Sequence, residues 1–327
     1  MVNMRCKALA KSLRFFFFAI LGLGGAALGV ELILRYSYGF GDPLLYASDT
    51  YVEYISKPNQ DVRRFGNRIT TNSYGIRSDP LTENPAPGRR RILVLGDSIV
   101  FGGVLVDQQA LATTLLQKEL RSQGVQVDVS NVSAGSWGPG NWKGWAASRG
   151  FLGATDIVLV LSSGDAYDNP TFAALNPVEQ PTRKPASALQ GFSGKYLNPS
   201  RLQYQLAAWG LIQPAPSLEP EPGREGAIQQ GLSDLRAFLT AAKRSGARVA
   251  VVQHWERGEL PDSPQPEHQR ILELLEQMNI PVVQDRDFLL KCSADPGQEL
   301  YIDSIHLNTV KGQACLAKAL QQALNLR

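Results

Sequence analysis

Cysteine and histidine are scarce in this chain of 327 residues, which holds three of each. Three cysteines cannot build a disulfide framework. With no CxxC pair and no Cys/His cluster, the sequence offers no zinc site, and neither a metal nor an organic cofactor is expected. The shortage of histidine confines any imidazole chemistry to His254, His268 or His306. Charge of one sign is also missing: 33 Lys and Arg stand against 30 Asp and Glu, a net of +3. Nucleic-acid binding usually needs a clustered basic face, so no nucleic-acid partner is expected. There is no internal repeat and no low-complexity tract. What is present, 43% hydrophobic and 19% charged residues, is an ordinary globular composition.

The apolar residues are unevenly spread. Phe15 to Val30 is an uninterrupted run without a charge, and Leu32–Leu34 extend it beyond a single Glu31. About twenty helical residues at ~1.5 Å each span the hydrocarbon core of a bilayer. The preceding flank carries Arg5, Lys7, Lys11 and Arg14 with no acid, which orients the N-terminus to the cytoplasm and everything after Arg35 outside. Residues 1–14 are therefore expected to be a basic cytoplasmic N-terminus and 15–34 a single transmembrane anchor. A cleaved signal peptide is the alternative, since a basic flank, an apolar stretch and small residues fit it too. The length of the run and the lack of a clear A-x-A site favour the anchor. Both readings export the rest of the chain.

Residues 35–90, rich in Gly, Pro, Asn, Asp and Tyr, read as a linker of short strands and turns. From residue 91 to 327 apolar runs alternate with helical patterns. Strands are expected at Arg91–Leu95, Val127–Val132, Asp156–Leu161, Arg248–Gln253 and Pro281–Gln284. Helices are expected at Ala110–Gly124, Asn141–Leu152, Ala227–Ser245, Glu267–Met278 and Thr309–Leu324. Residues 166–222 break the rhythm with nine prolines and suggest an excursion over the surface. The alternation implies an α/β fold, a mainly parallel sheet covered by helices on both sides, with ligands beyond the carboxyl ends of the strands.

Motifs fall at those ends. Gly96-Asp97-Ser98 follows the first strand, which puts a serine hydroxyl in the cleft after a tight glycine turn. Asp303-Ser304-Ile305-His306 precedes the last helix. A neutral serine hydroxyl is a poor nucleophile; it needs an imidazole to take its proton and a carboxylate to orient that imidazole, and an Asp and a His three apart in one turn can meet unaided. The bland reading is that Asp303 caps a turn and His306 lies on the surface.

With these blocks in place the chain resembles an SGNH (GDSL-type) hydrolase over about Arg91–Arg327. The resemblance implies a three-layer αβα, flavodoxin-like sandwich, with Ser98 as nucleophile, His306 as general base and then acid, and Asp303 as its orienter. Ile99 replaces the usual leucine after the serine. The second block, Asn131-Val132-Ser133-Ala134-Gly135-Ser136, implies a backbone oxyanion donor from Gly135 or Ser136 beside the N–H of Ser98. The third block, normally Gly-x-Asn-Asp, reads Ser162-Ser163-Gly164-Asp165, so Gly164 stands where an oxyanion-binding asparagine is expected. Asp97, Gly164 and Asp165 are further cleft candidates. Thr71-Asn72-Ser73-Tyr74-Gly75-Ile76-Arg77-Ser78 is similar to a segment of membrane-anchored SGNH proteins of bacterial exopolysaccharide gene sets. That resemblance implies an inner-membrane protein with its domain in the periplasm, within a polysaccharide-assembly complex. A β-turn at Gly75 with an arginine pinning the linker to the domain explains the same residues.

Other residues carry less. His254 follows a strand, where packing is favoured over a place in the cleft, and His268 is expected to be solvated. Trp137, Trp142 and Trp145 suit a sugar surface or a core equally, and Tyr196, Tyr204 and Trp209 lie on the excursion. Cys292 and Cys315 bracket the Asp303–His306 turn and are free to pair in an oxidising compartment or to stay separate thiols. The function expected is an O-acyl esterase or acyltransferase acting on acylated extracytoplasmic polysaccharide. The alternatives are a lipase or thioesterase at the membrane and a non-catalytic, glycan-binding scaffold, the last favoured by Gly164.

Overall fold

The structure is a computed structural model that describes residues 2–197, 223–307 and 309–326, with the backbone alone at residues 2–12. In chain order it begins with helix α1 (Val2–Tyr36) and the short strands β1 (Tyr46–Asp49), β2 (Glu53–Ser56), β3 (Asp61–Arg64) and β4 (Asn67–Thr70). Then come β5 (Arg90–Gly96), α2 (Ser98–Phe101), α3 (Ala112–Ser122), β6 (Val127–Ser133), α4 (Pro139–Arg149) and β7 (Asp156–Leu161). After α5 (Ala188–Tyr196) follow α6 (Arg224–Arg244), β8 (Arg248–Gln253), α7 (Pro266–Gln277), β9 (Val282–Gln284), α8 (Arg286–Cys292), α9 (Pro296–Glu299) and α10 (Val310–Asn325).

β5 to β9 form one parallel sheet in the order β6-β5-β7-β8-β9. Numbered within the sheet this is 2-1-3-4-5, the flavodoxin-like order, whose direction reverses between β5 and β7. The strands are apolar on both sides because both sides are covered. Leu93 and Leu95 of β5, and Ile157, Leu159 and Leu161 of β7, pack with Trp142, Phe238, Leu239 and Leu275 of α4, α6 and α7. Their alternates Ile92, Val94, Val158 and Val160 pack with Leu116, Leu120, Leu316 and Leu320 of α3 and α10. Period-two alternation thus feeds two cores, giving the expected three layers.

The helix limits follow their caps. α4 begins at Pro139, which needs no N–H at a first position, with Asn141 Oδ1 accepting from the Gly138 N–H at 2.9 Å. It stops at Arg149, three residues before the expected Leu152, where Gly150 takes φ +61°. α10 starts after Thr309, whose hydroxyl accepts from the Gly312 N–H at 2.8 Å.

Two compact units share the chain: the described residues of Met1–Pro43, Arg63–Gly66 and Arg183–Ala215, and those of Leu44–Val62, Asn67–Thr182 and Pro216–Arg327. In the first unit Leu13–Tyr36 is long and apolar enough to cross a membrane, with Phe15 to Phe18, Ile20, Leu21 and Leu23 all exposed. At its end Glu31 pairs with Arg35 and accepts the N–H groups of Ala188 and Leu189 at the start of α5. The Arg64 guanidinium lies 3.4 Å from the Phe40 ring centroid. In the second unit Val52, Tyr54, Ile55 and Ile76, from the segment read as a linker, join the core of the sheet. Of the excursion, Tyr204 and Trp209 lie outside the described residues.

Cys292 at the end of α8 is bonded to Cys315 of α10, with Cα atoms 6.2 Å apart. The bridge closes a loop of sequence separation 23 that contains Asp303 and His306. Such a cross-link restricts the unfolded chain by about 3 kcal/mol in the chain-entropy description. Urea unfolding of a Cys292→Ser, Cys315→Ser double variant beside wild type is expected to show a loss of that order.

Candidate active site

β5 ends in a turn that leaves no room for a side chain. A Cβ on Gly96 would lie 2.4 Å from Val100 Cγ2 and 3.2 Å from the Val160 carbonyl oxygen. The glycine lets the backbone reverse directly into α2, whose first residue is Ser98. Asp97 caps that helix, its Oδ1 accepting from the Ile99 N–H at 2.8 Å. Trp142 holds the turn from α4, its indole N–H donating to the Gly96 carbonyl at 3.2 Å. Asn131 holds the helix from β6: it is fully buried and donates to the Val100 carbonyl at 2.7 Å.

The turn before α10 meets this helix. Asp303 Oδ1 accepts the N–H groups of Ile305 at 3.0 Å and His306 at 2.8 Å, closing the turn on itself. Its Oδ2 lies 2.6 Å from His306 Nδ1, and His306 Nε2 lies 2.7 Å from Ser98 Oγ. A proton on Nδ1 faces the carboxylate, which leaves the Nε2 lone pair for the serine hydroxyl. Burial works to raise the Asp303 pKa, but the two N–H groups and the imidazole outweigh it and hold the carboxyl below its ordinary value. Ser98 and His306 are half-buried and Asp303 is exposed, so the line of three opens to solvent.

The remaining expected residues follow β5, β6 and β7. Ser136 follows β6 with φ +50°, a left-handed turn unusual for serine, and the Gly135 carbonyl accepts from the Tyr54 hydroxyl. Gly164 opens a 3₁₀ turn after β7, with the Glu256 carboxylate close to its backbone. A Cβ there would meet only Glu256 Oε1 at 3.7 Å, Ser162 Oγ at 3.7 Å and the Tyr167 hydroxyl at 3.8 Å, which is ordinary contact. Asp165 points inward and accepts from the Ser162 N–H at 2.6 Å. Burial raises its pKa well above the ordinary value, helped by the charges of Asp97 and Asp168. Asp97 is raised by burial, against the pull of the Ile99 N–H and of His306 and His254.

Sequence reasoning did not single out Asp168, where burial first, then Asp97 and Glu53, lift the carboxyl to about 6. Its place among prolines carries no signal. His268, expected to be solvated, is buried: its ring meets Trp255 edge-on at 4.7 Å and its Nδ1 lies 3.7 Å from Glu259. The face of α7 that carries it is turned to the 255–259 segment rather than to water. Trp137, Trp142 and Trp145 are core residues.

No protein-family model matches the chain, and no curated protein matches it in sequence. Solved structures similar to it include the psychrotrophic esterase EstA from Pseudoalteromonas sp., 13% identical over 72% of this chain and 97% of that one, at a TM-score of 0.43. Axe2, an acetylxylan esterase from Geobacillus stearothermophilus, is 12% identical over 73% of this chain and 95% of that one, at a TM-score of 0.45. A member of the lipolytic protein G-D-S-L family from Veillonella parvula is 11% identical over 73% of this chain and all of that one, at a TM-score of 0.40.

Proposed function

We propose that the chain is a serine O-acyl esterase or acyltransferase of the SGNH kind. One observation carries the reading: Ser98, His306 and Asp303 form a continuous hydrogen-bonded line although the serine and the imidazole are 208 residues apart in sequence. Ser98 Oγ attacks an ester carbonyl while His306 Nε2 takes its proton. The tetrahedral oxyanion forms beside the N–H of Ser98 and that of Gly135 or Ser136. The imidazolium then protonates the departing alcohol, leaving an acyl-serine. Water or a sugar hydroxyl, deprotonated by the same imidazole, resolves it. The apolar N-terminal helix and the Cys292–Cys315 bridge support an exported, membrane-tethered domain, and acylated polysaccharide is the proposed substrate.

Gly164 favours a second reading, a non-catalytic scaffold, because a lost oxyanion donor costs about 10²–10³ in rate. A fluorophosphonate probe separates the two, since it bonds only to an activated serine. Mass spectrometry of the labelled full-length protein in detergent is expected to find the adduct on Ser98, and its absence would leave the scaffold.

A further inference from the structure

A second imidazole–carboxylate pair lies beneath the Asp303–His306 turn. His254 follows β8 directly and is wholly buried. Its Nδ1 lies 2.6 Å from Asp285 Oδ2, and its Nε2 lies 3.0 Å from the Ile305 carbonyl oxygen. The other Asp285 oxygen accepts the Trp255 N–H at 2.9 Å. Both ring nitrogens therefore face acceptors, and a neutral imidazole has only one proton to offer. Two protons satisfy both contacts, and Asp285 balances the charge.

We propose that His254 is held as an imidazolium by Asp285 and serves as a positioning residue for His306, clamping the carbonyl one residue before it. The proposal rests on the hydrolase reading given above. The clamp has a second point, because the Arg257 N–H donates to the Ser304 carbonyl at 2.8 Å. The segment after β8 thus grips two successive carbonyls of the turn that presents His306 to Ser98. The charged and titratable groups facing His254 are Asp285, Asp97 from the turn after β5, Glu256 on its own segment and Tyr301, whose ring centroid is 5.8 Å away. Burial pushes the imidazole down, while Asp285, the Ile305 carbonyl and Asp97 outweigh it and leave His254 above its ordinary 6.5. The clamp is therefore complete below that pH and is lost as pH rises through the folded value. A neutral His254 would turn a lone pair toward either the carbonyl or the carboxylate, loosening the turn.

Histidine-selective ¹⁵N spectra of the full-length protein in detergent test the charge directly, with His254→Gln and His268→Gln to assign three imidazoles. At about pH 6.5, where an ordinary imidazole is half protonated, the His254 signal is expected to be mainly that of an imidazolium, with its midpoint above the ordinary value; a neutral signature there would overturn the proposal. In kinetics with an aryl acetate, His254→Phe is expected to lower kcat by about 10- to 100-fold with KM nearly unchanged, the scale of a misplaced catalytic group. His254→Gln, whose amide would still donate to the Ile305 carbonyl, should recover most of the rate and lack the alkaline fall in kcat expected of wild type. An alkaline limb unchanged in His254→Gln would also overturn it. Failure of the hydrolase reading looks different: wild type would then turn over no ester while the imidazolium signal persists.

Discussion

Ser98→Ala is expected to lower kcat/KM toward an aryl acetate by about 10⁴- to 10⁶-fold, and His306→Ala by a similar factor. The double variant should be no slower than either single one. A serine without its base and a base without its serine both leave only what the oxyanion donors and binding provide, so the losses cannot add. Asp303→Asn should cost less, about 10³- to 10⁴-fold, because the carboxylate acts through the imidazole. Its amide could still accept the Ile305 and His306 N–H groups but could turn its NH₂ toward Nδ1 and enforce the wrong tautomer. Folding should be little disturbed by Ser98→Ala, since the hydroxyl is half-buried and α2 is capped by Asp97 rather than by the serine. Side-by-side rates on purified full-length proteins with matching unfolding midpoints check this, and equal rates for wild type and Ser98→Ala would sink the catalytic assignment.

The parts of the site that could be read beforehand are those whose chemistry is local. Asp303 and His306 stand three apart, and a turn of that length lets one carboxylate bond the imidazole and two backbone N–H groups at once. Gly96 could be read as a tight turn because no other residue fits against Val100 and Val160. The sheet was legible because β5, β7 and β8 are too apolar for a wetted face. The parts that were not legible depend on pairings made only by folding. Nothing in the spacing of His254, Asp285 and Ile305 says that they converge. Nor does the pattern around His268 show that a helix with a polar start turns that residue inward against Trp255. The segment before β5 misled in a different way: its turns read as a tether, yet Val52, Tyr54 and Ile76 alternate with polar residues too briefly for periodicity to reveal a buried face.

Arg77→Ala is expected to destabilise the protein by about 3–5 kcal/mol, well beyond an ordinary surface change. Arg77 is fully buried, and the nearby Asp107 carboxylate favours its charge. Its Nη1 donates to the carbonyls of Phe101 at 2.8 Å and Gly103 at 2.6 Å, Nη2 donates to that of Val106 at 2.6 Å, and Nε donates to Gln108 at 3.1 Å. Burial pulls the guanidinium down to about 10, so it stays charged at neutral pH. The carbonyls it serves lie at the last residue of α2 and in the loop that follows, where Gly102 turns the chain with φ +74°. Removing the fork strands three acceptors and opens a void, and unmade buried hydrogen bonds cost about 1–3 kcal/mol each, less than additively within one loop. Arg77→Lys keeps the charge but not the planar fork, and one ammonium cannot span the three carbonyls, so its loss should fall between wild type and alanine. Thermal unfolding would show the alanine variant lowered by roughly 10 °C. The same loosening reaches the far end of the helix that begins with Ser98, so kcat of the folded fraction should fall by about tenfold, while a change confined to the tether would leave it untouched.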